Sequence, residues 1–214
     1  MALHQLVGPF EEPYTRAEAK LAWRVTIDED DALIDALISA SREHAEVACR
    51  RQILTATWAL TLDRFPTLGD NRSYWPHYSS WGIEMRELRH GSIIEIPRPP
   101  LQAVSKVTYL DQDRVIQTLD PAWYGVDTAR EPGRLYLKQG LWWPATMYEP
   151  AVVRIEFVAG WETPADVPKA LIVALKLVGA HFYENREAST ERPMSLLPLG
   201  AQMLLSHYKI VEAY

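Results

Sequence analysis

The sequence carries six histidines, at positions 4, 44, 77, 90, 181 and 207. An imidazole can hold a metal or move a proton, but both tasks need partner groups at short range. No HExxH motif is present and no two histidines lie close together in sequence. His181 and Glu184 share one helical face and could offer two metal ligands, yet such pairs are common on ordinary helices. Asp28-Glu29-Asp30-Asp31 lacks the glycine and the distal glutamate of a calcium loop. Those carboxylates instead suit the positive end of a helix dipole. The single cysteine, Cys49, rules out an intrachain disulfide and any cysteine-built zinc cluster. No G-x-S-x-G elbow, G-x-G-x-x-G or phosphate-binding P-loop occurs. Paired carboxylates for glycoside chemistry meet only in a fold, and nothing here favours one pair. The residue types therefore point away from catalysis, and no metal or cofactor is expected.

The elements around these residues fall into three parts. Residues 1–54 read as helical, after a loose start at Gly8, Pro9 and Pro13. Thr15 stands three before Glu18, a capping box for a helix from Arg16 to about Trp23. A helix of roughly six turns follows the acidic run. Its predicted stripe is Leu33, Leu37, Ala40, His44 and Ala48, flanked by Ile34, Ile38 and Ala45. Residues 55–166 read as β-rich. Strands are expected over Thr55–Leu62, Ser92–Ile96, Val104–Leu110, Val115–Leu119, Trp123–Val126, Arg134–Leu137 and Val152–Ala159. Short strands at even spacing predict an antiparallel sandwich or barrel. Residues 167–214 return to helix. From Ala170 to Tyr183 only Lys176 and His181 carry strongly polar groups, so this helix is expected to be buried on most sides. A last short helix should start near Ala201. The expected fold is α+β: a discontinuous helical core of 1–54 and 167–214, with two long and two short helices. The β-rich part, 55–166, is inserted between its halves.

The chain has 214 residues and a net charge of −6. A broad basic face for nucleic acid is thus excluded. No apolar run is long enough to cross a bilayer, and the N-terminus lacks a basic-then-apolar export pattern. A soluble, intracellular, non-enzymatic protein is expected. Eight tryptophans against four phenylalanines are unusual. Tyr74, Trp75, Tyr78, Trp81, Trp142 and Trp143 either fill a β core poor in Phe or meet a partner.

Several segments in order carry a family resemblance. They are Asp28-Glu29-Asp30-Asp31-Ala32-Leu33-Ile34, Arg51 through Trp58, Leu62-Asp63-Arg64-Phe65-Pro66, and Ile94 through Leu101. Val107 through Asp111, Ile155 through Trp161, Val167 through Ala170, and His181 through Glu187 complete the set. Together they resemble the head–tail connector (adaptor, or head-completion) proteins of long-tailed bacteriophages and gene-transfer agents. The resemblance implies a helical core with a β insertion and no catalysis. It implies a virion protein at the head–tail junction, assembled in the host cytoplasm. It also implies a ring, typically of twelve copies, under the portal protein, with the next neck or tail-completion protein bound below. DNA would pass through without sequence-specific contact. The shortest members lack a β region of this size.

On that reading Leu171, Leu175, Val178 and Phe182, with Tyr74, Trp75, Tyr78 and Trp81, are candidate interface residues. Leu204, Leu205, Tyr208, Ile210 and Tyr214 are a candidate portal-docking segment. Deleting residues 205–214 is expected to abolish portal binding and spare the fold. A tail-terminator or other neck protein is the alternative reading. A small β-domain cell-wall hydrolase is the remote one.

Overall fold

The computed structural model describes residues 1–66, 93–185 and 198–210. It divides into two units, each built from separate pieces of chain. The sheet unit comprises Met1–Gly8 and Ala56–Gly160; the helical unit comprises Pro9–Thr55 and Trp161–Ile210.

The sheet unit holds eight strands among the described residues. They are β1 (Ala2–Val7), β2 (Ala56–Leu62), β3 (Ile93–Ile96), β4 (Leu101–Leu110), β5 (Ile116–Thr118), β6 (Tyr124–Asp127), β7 (Gly133–Leu137) and β8 (Val153–Ala159). One sheet runs β1-β2-β8-β4-β5 and a second runs β3-β7-β6, with every pairing antiparallel. Alternation makes the layers. In β8, Val153, Ile155, Phe157 and Ala159 are buried, whereas Arg154 faces water. Ile94, Ile96 and Leu135 from the small sheet join Trp58, Leu60 and Phe157 from the large one in a single apolar core. Two irregularities in the register of β4 bend that strand. Phe65 stacks on Trp143 with ring centres 4.7 Å apart, so Trp143 fills this core while Trp142 stays exposed.

The helical unit holds α1 (Arg16–Trp23), α2 (Asp31–Cys49), α3 (Lys169–Glu184) and α4 (Leu199–Ser206). The capping box at Thr15 forms: Thr15 N–H donates to Glu18 Oε2 at 2.9 Å, and Glu18 N–H donates to Thr15 Oγ1 at 3.3 Å. Arg24 and Arg50 end α1 and α2 in the left-handed region, at φ 60° and 56°. Glycine usually serves there, so each arginine costs on the order of 1 kcal/mol. Ile34, Ile38, Leu171, Ala174, Leu175 and Val178 centre the unit's core.

Three expectations are corrected. Ala2–Val7, read as part of the helical half with its loose start, form a strand of the sheet unit; β1 has only one half-buried side chain, so it lacks the alternation that marks a strand. The boundary after the sheet lies at Gly160, so Trp161 to Asp166 belong to the helical unit: Trp161 N–H donates to Ile53 O at 3.0 Å. The buried face of α2 is Ile34, Ile38, Ser41, Ala45 and Cys49, one position round from the predicted stripe. Counting apolar residues misplaced it because this face also buries Ser41, Arg42 and Glu46. Arg42 Nε–H donates to Glu12 at 2.9 Å and Nη1–H to Glu46 at 3.2 Å. Gln52 Nε2–H and Ile53 N–H complete the acceptors of Glu46, at 2.7 and 3.1 Å. Satisfied polar groups can sit in a core, and hydropathy alone does not see them.

Candidate interaction surface

The site residues predicted on α3 turn inward. Leu171, Leu175 and Val178 are fully buried in the chain's own helical core. They offer nothing to a neighbour, which corrects that assignment. Phe182 is half-buried, with its ring edge-on to His44 at 5.9 Å. The helix is apolar nearly all round, so its composition could not say which side faces out. The outward side carries Val173, 50% exposed, and Leu177. Tyr74, Trp75, Tyr78 and Trp81 lie outside the described residues.

The C-terminal segment is likewise held at home. Leu205 is buried, and Leu204 and Tyr208 pack on the same core. Ile210 N–H donates to Cys49 O at 3.0 Å, and Arg51 Nε–H donates to Tyr208 O. Removing 205–214 would therefore strip the helical unit, contrary to the expectation that the fold is spared. Tyr214 lies outside the described residues. What α4 does expose is Leu199, at 72%, and Met203, at 59%. Among the described residues this unit also exposes Phe10, Leu21, Val47, Val173 and Ile27 strongly, and Leu177 and Leu33 less so. Exposed apolar residues scattered singly are ordinary, whereas a contiguous patch of them marks a surface that gets covered.

The polar candidates resolve into structure. Asp28 takes a hydrogen bond from Lys20 Nζ at 2.6 Å, and Asp31 bonds Lys20 and Arg16. Arg16 also bonds Asp35. The Lys20 ammonium, then Arg16, holds the Asp31 carboxyl below the usual range, and Arg16 does the same for Asp35. Asp28 and Asp31 of the acidic run thus join an ion-pair network tying α1 to the start of α2, while Asp30 accepts from the Tyr183 hydroxyl at 2.6 Å. His181 lies beside Asn185, with Nδ1 3.2 Å from the amide nitrogen. Among the described residues no three His, Cys, Asp or Glu side chains converge as a metal site would need. Cys49 is buried, and burial pushes its thiol up, away from thiolate chemistry. No described helix is long and apolar enough to cross a membrane.

With this geometry the chain can be set beside known proteins. No family model matches the sequence, and neither does any curated protein. Solved structures do match, over the full length. The chain has the fold of a protein found in the neck of gene transfer agent particles. Against a chain in the neck of an empty particle, computed with C6 symmetry, the TM-score is 0.73 at 18% identity. Against one in the neck of a native particle, computed with C12 symmetry, it is 0.67 at 18% identity. Against one in the virion of a native gene transfer agent it is 0.75 at 16% identity. Each comparison covers 100% of this chain and 98% of the other. Both units and the β insertion are therefore common to these folds.

Proposed function

We infer that this chain is a structural virion protein: a head–tail adaptor that forms a ring beneath the portal, extends the DNA channel and receives the next neck protein. One observation carries the reading. The whole chain, both units included, matches proteins of particle necks that were computed with ring symmetry. A ring of identical copies joins two unlike faces head to tail, so each copy must present apolar surface that its own core leaves open. Val173, Leu177, Leu199 and Met203 are such surface. The net charge of −6 suits a channel through which DNA must slide. A basic lumen would release counterions and hold the duplex. The role requires no catalysis, and the protein works in the virion after assembly in the host cytoplasm.

The test is electron microscopy of particles made without this gene, beside the complemented stock. Filled or leaking heads separate from finished tails are expected. Normal joined particles would overturn the reading. Capture of the chain by purified portal distinguishes an adaptor from a tail-terminator or other neck protein, which would bind further down.

A further inference from the structure

β1 is lightly held in its sheet. Among the described residues it pairs only with β2, antiparallel, with Ala2 across from Thr61 and His4 across from Ala59. Of its six side chains only Leu3 is half-buried, packed against the sheet core. The register slips between Gln5 and Val7, which bends the strand just before it leaves the sheet. The chain crosses into the helical unit after Gly8. It is anchored there from Glu12 onward. Glu12 accepts from Arg42 Nε–H at 2.9 Å and from the Ser39 hydroxyl at 2.7 Å, and Pro13 and Tyr14 are buried. The link between strand and anchor is thus Gly8-Pro9-Phe10-Glu11.

The apolar side chains around this link stand in water. Leu6 is 42% exposed, Val7 44% and Phe10 91%. All three fall between positions 6 and 10, where strand and helical unit are joined. The β2 edge of a second copy offers β1 the identical register, so moving there keeps every pairing that β1 makes at home. An exchanged arm also lays its link across the seam between two copies. Leu6, Val7 and Phe10 then gain the cover that their own chain withholds.

We propose that β1 is an exchange arm: in the assembled ring, β1 of one copy pairs with β2 of the next. The occupant of the β2 edge is a second copy of this chain. Each copy gives one arm and receives one, which is the head-to-tail contact that a closed ring repeats. The four-residue link spans at most about 14 Å, so the arm reaches the adjacent copy and no further. The inference rests on the ring reading given above.

The test is thiol cross-linking across the β1–β2 pair, whose Cβ atoms lie close enough for a short bis-thiol reagent. Ala2→Cys and Thr61→Cys are made in separate genes, both are supplied to a strain lacking this gene, and joined particles are purified. A cross-linked band of two chains is expected, and it should vanish when either variant is supplied alone. Cys49 is buried and stays out of the reaction. The doubly substituted chain, unassembled, should link within itself, which shows that the variants fold and the pair is in reach. If that chain still links only within itself in joined particles, and the mixture gives no two-chain band, the exchange is overturned and the ring stands. Joined particles that do not contain the chain overturn the ring reading, and the exchange with it.

Discussion

Gly179 sits in the middle of α3, where intrinsic propensity favours alanine by about 0.8–1.0 kcal/mol. The structure reverses that sign. A Cβ at Gly179 would lie 2.4 Å from Trp23 Cζ2 and 3.1 Å from the Tyr14 hydroxyl. The Trp23 ring cannot swing away cheaply. Its Nε1–H donates to Lys176 O at 2.9 Å, and it stacks on Tyr183 at 5.9 Å. Forcing a methyl into such a contact costs about 1–3 kcal/mol. A 2.4 Å contact belongs in the upper half of that range, so setting the propensity gain against it leaves Gly179→Ala destabilised by about 1–2 kcal/mol, a fall in Tm of a few degrees. Gly200, in the first turn of α4, is the internal control, since nothing among the described residues lies within 4 Å of a Cβ there. Gly200→Ala should stabilise by up to about 1 kcal/mol. Urea unfolding of both variants reads the two signs. Trp23→Leu then removes the obstacle, so the Gly179→Ala penalty should shrink in that background. A Gly179→Ala protein as stable as the parent, or a penalty unchanged by Trp23→Leu, would refute the packing argument.

Four further outcomes follow from the structure. Arg42→Ala removes the guanidinium that Glu12 and the buried Glu46 share, and should cost about 3–5 kcal/mol in urea unfolding; Arg42→Ala with Glu46→Gln should recover part of it. Burial pushes the Tyr14 hydroxyl up to about 12, against the partly opposing bond to Ser41. A folded value above the unfolded one means this stability is intact below about pH 10 and is lost as the pH rises through 12; Tyr14→Phe should flatten that alkaline limb, read by tyrosinate absorbance and Tm. Asp31 and Asp35 are held low, so their contribution is present above the unfolded carboxylate range and is lost as the pH falls below it; Arg16→Met should narrow the drop in urea midpoint between neutral and acid pH. Leu199→Glu with Met203→Glu should abolish capture by portal at unchanged Tm, and retained capture would remove α4 from the contact.

Much of the architecture could be read from residue order. The strands of the insertion and both long helices fall close to their predicted spans, because alternation, turn residues and the Thr15 capping box are local signals. Rotation of helices about their axes was not legible. α2 carries apolar residues on two neighbouring stripes, and only the buried Arg42–Glu12–Glu46 contacts decide which one faces in. α3 is apolar almost throughout, so its exposed pair, Val173 and Leu177, is set by what α1 and α2 happen to cover. β1 escaped because an edge strand with one half-buried side chain has no period to detect.

The path of the chain between the two units also sets a schedule for synthesis. The chain passes from sheet unit to helical unit after Gly8, back after Thr55, and forward again after Gly160. On a ribosome, β1 must wait for β2, and β2 must wait for β8, its partner across nearly a hundred residues. The inward face of α2 stays uncovered longer still, until α3 has been made. Neither unit can close from local contacts, so folding is governed by long-range pairing and should be slow for a protein of this size. The last described strand of the sheet unit emerges with β8, and the helical core gains α4 only later. A nascent chain therefore carries its ion-paired α1–α2 hairpin as an early, half-finished piece, waiting for the last fifty residues to give it a core.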